Sequence, residues 1–169
     1  MERANRFLRL LRHCLTPGGL AARRFPAATM DRIEERVTLA ERSHGAEIRI
    51  AIETALPVSA ILAGQTPRER ALEVFGGLCV WDTEANNGVL VYLLLADHAV
   101  EIVADRAAAA RVDPGIWRQA CDLLARACRE RREEEGTLAA IDVLDEALAA
   151  AFPPRPDDVD EMPNRPIVV

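Results

Sequence analysis

The sequence predicts an α/β domain: a central mixed sheet that includes an antiparallel hairpin, with helices over both of its faces. Two observations carry the sheet. Residues 47–53 alternate with isoleucine at every second position, and 88–95 are apolar at every position after Gly88, the pattern of a strand buried on both sides. A third observation supplies the helices, because stretches of 3.6-residue period with capping residues before them flank both strands.

Taken in order, residues 2–14 read as an amphipathic helix. At about 100° per residue, Phe7, Leu8, Leu10, Leu11, Cys14 and Leu15 share one arc, while Arg6, Arg9, Arg12 and His13 lie opposite. Thr16-Pro17-Gly18-Gly19 ends that helix. From Phe25-Pro26 a second helix runs to about Arg42, with Ile33, Val37 and Ala40 at core spacing and Gly45 as its stop. In the strand that follows, Ile48, Ile50 and Ile52 take one buried face. Pro57 to Ala63 suits a short helix, and Thr66-Pro67-Arg68-Glu69 is a capping box with Pro at the first helical position. Ala96-Asp97-His98 turns the apolar strand into a second one, Ala99 to Ala104. Asp113-Pro114 opens a long helix bearing Trp117, Leu123, Leu124 and Ala127, which fades in the charged run 129–135 before Gly136. Thr137 is placed to cap the last helix, to about Phe152, and Trp81 is expected as a core anchor.

Composition bounds the rest. A chain of 169 residues, 50% apolar with 4% aromatics, suits one domain with an aliphatic core. No run approaches the roughly 18 apolar residues of a membrane span, and the start lacks the h-region and cleavage site of a signal peptide, so the expected location is cytoplasmic. Cys14, Cys79, Cys121 and Cys128 show no metal-ligand spacing and are expected as reduced, mostly buried thiols. All 21 basic residues are Arg, which removes Schiff-base chemistry and the P-loop. Residues 1–24 hold six Arg and one Glu, a net +5 against −6 for the whole chain, so the remainder carries −11. That excess of negative charge argues against nucleic acid as a partner.

Three segments follow: a basic amphipathic leader at 1–24, a folded domain at 25–152 and a Pro-rich acidic tail at 153–169. The leader is built to lie on an anionic membrane surface, peripheral to its inner face, or to dock on its own domain or a protein partner. The tail holds half of the ten prolines, and its apolar end, Pro166-Ile167-Val168-Val169, hangs loosely, packs back on the domain or adds to a sheet edge.

The candidate site is the polar loop before the apolar strand. Asp82, Glu84, Asn86 and Asn87 offer oxygen ligands of the kind that Ca²⁺ or Mg²⁺ prefer, with no call for an organic cofactor. Because hairpin strands are antiparallel, Asp105 at the end of the second strand converges on that loop, while Asp97 and His98 fall at the opposite end. Arg106 is placed to pair with Asp82 or Glu84 in place of a cation, or to contact phosphate. Catalytic nucleophiles are missing. Neither Ser43 nor Ser59 sits in Gly-x-Ser-x-Gly, no Cys is followed by Arg at the phosphatase offset, and His13, His44 and His98 are scattered.

Trp81-Asp82, Asn86-Asn87-Gly88-Val89-Leu90 and Val100-Glu101-Ile102-Val103-Ala104-Asp105-Arg106, with the order of elements, resemble the TPM-domain family over about Ala27 to Phe152. That family is named for a thylakoid lumen protein, a photosystem II repair protein and a worm receptor modulator. The Arg-rich leader and the closing Met162-Pro163-Asn164-Arg165-Pro166 resemble a bacterial subgroup without signal peptide or membrane span. The resemblance implies a three-layer α/β/α sandwich. Plant members are described as acid phosphatases, and some members bind divalent cations. Here Asn86 stands where many members have Asp, and residues 104–107 lack the glycine-rich turn usual after the hairpin. The expected function is a non-enzymatic scaffold or regulator of a membrane-associated assembly that binds a divalent cation; the alternative is a metal-dependent acid phosphatase acting on small phosphate esters.

Overall fold

A computed structural model describes residues 2–154 and 159–169, with side chains from Arg6 onward; the part of the predicted tail at 155–158 lies outside the described residues. The chain opens with helix α1 (Glu2–Leu15), the short α2 (Leu20–Arg24) and α3 (Ala27–Glu41), then enters strand β1 (Ile48–Glu53). Helices α4 (Val58–Ala63) and α5 (Pro67–Gly77) lead to β2 (Val89–Leu94), which turns into β3 (Ala99–Ala104). Next come α6 (Arg106–Arg111), α7 (Pro114–Arg129) and α8 (Glu133–Ala151), and the tail returns as β4 (Ile167–Val168).

The sheet order is β3-β2-β1-β4. β1 pairs parallel with β2 and with β4, and β2 pairs antiparallel with β3 from Val89↔Ala104 to Leu94↔Ala99. Each face of the sheet has its own core. Ile48, Ile50, Ile52, Val89, Val91 and Leu93 pack with Ile33, Val37, Leu124, Ile141, Leu144 and Leu148 of α3, α7 and α8. On the other face Ala51, Leu90, Tyr92, Leu94 and Val103 pack with Ile61, Ala71 and Val74 of α4 and α5. This is the three-layer α/β/α arrangement, with a mixed sheet as its middle layer.

β1 is buried on both faces, beyond the single face that its alternation predicts. Its polar residues are accommodated by pairing: Glu53 takes Arg70 Nε at 2.8 Å and the Tyr92 hydroxyl at 2.6 Å, and the Arg49 guanidinium donates to the backbone carbonyls of Pro163 and Arg165 in the tail. The described end of the tail, 159–169, therefore does not hang loose. β4 covers the β1 edge, with Val169 N donating to Ile52 O at 3.0 Å.

Other expectations need correcting. The last helix starts at Glu133, a turn before Thr137, which is buried inside it with its hydroxyl bonded to Glu133 O. Three glutamates in the first turn favour the helix N-terminus, and Arg24 and Arg32 pair with Glu133 and Glu134. Gly136 is no breaker: a Cβ there would lie 2.3 Å from Ala127 Cβ, so glycine lets α7 and α8 close together. Trp81 is 51% exposed, because its neighbour Val80 occupies the core position. Cys14 and Cys79 are exposed rather than buried.

The leader departs most from simple expectation. α1 docks through its cationic face. Arg9 and His13 reach Asp97 in the β2–β3 turn at 2.7 and 3.0 Å, and Arg12 contacts the same carboxylate. His13 Nδ1 accepts from Leu56 N at 2.9 Å, so its Nε2 carries the proton offered to Asp97. Of the apolar arc, Leu10 packs inward, whereas Phe7, Leu8, Leu11 and Leu15 are 60, 63, 40 and 77% exposed.

Candidate functional site

The antiparallel register brings the start of β2 beside the end of β3, and the polar loop meets the α6 N-terminus there. Gly88 is required at this junction, since a Cβ would fall 2.0 Å from Val80 O. Asn86, at φ 53°, turns the chain in the left-handed region that asparagine tolerates. Its carbonyl accepts from Ala107 N at 2.9 Å, and Asp105 N donates to Gly88 O at 2.8 Å.

The predicted residues divide into two groups. Asn86, Asp105 and Arg106 are joined by hydrogen bonds, and Asn87 adjoins them in the chain with its side chain bonded towards Gly45. Asp105 Oδ1 caps α6 by accepting from Arg106 N at 2.7 Å, and Arg106 Nη2 donates to Asn86 Oδ1 at 2.7 Å. Asn87 N donates to Thr83 Oγ1 at 3.1 Å, and the Asn87 side-chain amide donates to Gly45 O. Asp82 and Glu84 are exposed on the outer side of the loop. Arg106 thus pairs with Asn86 and not with either of those carboxylates. Glu84 is tied to the tail instead, its N–H donating to the Glu161 carboxylate at 3.1 Å.

Two atoms in the inner group lack a hydrogen-bond partner among the described residues: Asn87 Oδ1 and Asp105 Oδ2, on side chains that are 1% and 8% exposed. Buried oxygens of this kind ordinarily bond a donor, a water or an ion. Asp97 and His98 lie at the other end of the sheet, as the strand directions require.

Sequence reasoning missed a second acidic group. Glu41 at the end of α3, Glu47 before β1 and Asp160 in the tail bring carboxylate oxygens within 4.8 Å of one another. They line a cavity of about 370 Å³ with Thr38, His44 and Asn164. Burial, reinforced by the Glu47 and Asp160 charges, pushes the Glu41 carboxyl up to about 8, although Ile48 N donates to it at 2.9 Å. No local signal marks this group, since Asp160 arrives from more than a hundred residues away.

The TPM domain model matches residues 21–147. The chain is also similar to the BA42 protein of the psychrophilic bacterium Bizionia argentinensis, solved by NMR, at 26% identity and a TM-score of 0.73, over 85% of this chain and 94% of that one. No curated protein matches the chain. The element order, the Asn-Asn-Gly junction into β2 and the hairpin behind it agree with the match over most of the chain: this protein belongs to the TPM-domain family.

Proposed function

We propose that this TPM domain serves as a scaffold or regulator of a membrane-associated assembly and reaches an anionic membrane surface through α1. The observation that supports this reading is the outward apolar stripe of Phe7, Leu8, Leu11 and Leu15. An amphipathic helix docked for stability alone would bury that arc, since each such side chain gains about 1.5–3 kcal/mol on burial. Here the arginines and His13 hold the helix to the domain and the apolar arc faces out, with Val58 and Leu62 of α4 also exposed. Arg6, Arg12 and Arg23 are exposed as well and complement anionic headgroups.

Co-sedimentation with vesicles of phosphatidylcholine and an anionic phospholipid tests this. Binding should weaken as salt rises and fall at least about tenfold in Phe7→Ser/Leu11→Ser, which exchanges two membrane-facing apolar side chains for polar ones. Equal sedimentation of the wild type and that variant would overturn the reading.

A second reading, binding of a divalent cation, draws support from the orphaned Asn87 Oδ1 and Asp105 Oδ2. Two protein oxygens suit Mg²⁺, which keeps several of its waters, better than Ca²⁺, which takes six to eight oxygen ligands. Asn87 and Asp105 would hold the ion, and Arg106 would stay on Asn86. The acid phosphatase alternative would draw on the same ion to activate water and would need the exposed Asp82 or Glu84 to turn inward.

A further inference from the structure

The docked face of α1 forms a second feature, at the sheet end opposite the Asp105 cluster. Arg6, Leu8, Arg9, Arg12 and Asp97 line a cleft of about 700 Å³, a volume in the range of small-molecule sites. Three guanidinium groups and one carboxylate line it, which leaves two positive charges uncompensated in an otherwise acidic protein. Arg9 is fixed by two anchors, its Nε on Asp97 at 2.9 Å and its Nη1 on Gln65 O at 2.7 Å. Arg6 is not consumed this way. It lies beside Gly64, the left-handed residue that ends α4, and makes no ion pair among the described residues. Leu8 belongs both to the cleft wall and to the exposed stripe, so the cleft opens at the border of the apolar surface.

We propose that Arg6, Arg9 and Arg12 form a pocket for the phosphomonoester headgroup of an anionic lipid. A phosphomonoester carries nearly two negative charges near neutral pH, matching the local excess, and guanidinium forks suit its oxygens. Asp97 acts as a positioning residue that holds Arg9 and Arg12 at the cleft and offsets only one of the three guanidinium charges. This inference rests on the membrane reading for the source of the ligand but not for the chemistry of the pocket.

The test compares vesicles of phosphatidylcholine carrying either phosphatidic acid or twice as much phosphatidylserine, so that surface charge is matched, and adds a calorimetric titration with soluble glycerol 3-phosphate. The wild type should prefer phosphatidic acid vesicles by at least about fivefold, since discrimination at equal charge requires direct contacts to the phosphate. Arg6→Gln, which removes no fold contact described above, should erase that preference while retaining much of the phosphatidylserine binding. In Phe7→Ser/Leu11→Ser, glycerol 3-phosphate binding that persists after vesicle binding is lost supports the pocket independently of the stripe. Equal binding to both vesicle types, unchanged in ratio by Arg6→Gln, overturns the pocket and leaves the membrane reading standing. Arg6-dependent binding of glycerol 3-phosphate without vesicle binding by the wild type overturns the lipid source and the membrane reading together.

Discussion

Glu41 offers a direct test of the electrostatics in the tail-side cavity, through Glu41→Gln. Its carboxyl is raised from 4.5 to about 8, chiefly by burial and then by the Glu47 and Asp160 charges. A carboxyl raised on folding binds a proton in the native state that the unfolded chain has released. Its contribution to stability is therefore full below about pH 4.5 and is lost progressively as pH rises towards 8. Each pH unit between those values is worth about 1.4 kcal/mol, so the whole span amounts to roughly 5 kcal/mol. Relaxation of the cavity lowers that figure, and a loss of about 2 kcal/mol between pH 6 and 8 is the working expectation. Glutamine keeps the shape and the acceptor for Ile48 N but cannot ionise. Urea denaturation at pH 6, 7 and 8 should show wild-type stability falling while the variant changes little, so that the difference between them grows by about 2 kcal/mol from pH 6 to pH 8 in the variant's favour. Parallel pH profiles for the two proteins would refute the placement of Glu41 in a shared carboxylate cavity.

Two further predictions concern the opposite ends of the sheet. Asp97→Ala should free α1, because it removes the carboxylate that Arg9, Arg12 and His13 share, at a cost of about 1–3 kcal/mol given the partial exposure of the arginines; faster proteolysis at Thr16 to Gly19 and faster amide exchange along α1 would report it, and unchanged protection would refute it. Acid should act in the same direction: burial raises the Asp97 carboxyl, but hydrogen bonds from Arg9 and His13 outweigh it and hold the carboxyl low, so the docking contribution is present above about pH 4 and is lost below it. Asp105→Ser should abolish Mg²⁺ binding in a calorimetric titration, because serine retains the cap on α6 but deletes Oδ2; binding that survives the change would remove Asp105 from the cation site.

How far the fold was legible depended on how local each determinant is. The Thr66 to Glu69 capping box forms as its four residues dictate, with Thr66 Oγ1 accepting from Glu69 N and the Glu69 carboxylate accepting from Thr66 N. The hairpin register follows from the apolar run and its turn, and it brought Asn86, Asn87 and Asp105 together while sending Asp97 away. Gly136 defeated the same style of reasoning. Its local signature is that of a helix stop, but the deciding contact is Ala127 on the neighbouring helix, nine residues back, which meets Gly136 only because α7 and α8 fold against each other. Arg49 and Glu53 are buried against the alternation of β1 for a similar reason: their partners are tail carbonyls, Arg70 and Tyr92.

The leader shows the same limit in a functionally useful form. Helical period alone assigns the two arcs of α1 correctly, yet period carries no information about which arc meets the domain. The choice is made by Asp97, 88 residues from Arg9 in the chain. Once that carboxylate is buried at the β2–β3 turn, it needs cations around it, and a helix with arginines on one side supplies them. Phe7, Leu8, Leu11 and Leu15 are then left outward by geometry, since they lie away from the docked side of the same cylinder, and only Leu10 at the border of the arc packs inward. Exposure of Phe7, Leu8, Leu11 and Leu15 and the retention of arginines in the cleft are therefore two consequences of one contact. A change at Asp97 should alter membrane binding and phosphate binding together, whereas changes at Phe7 and Leu11 or at Arg6 should separate them.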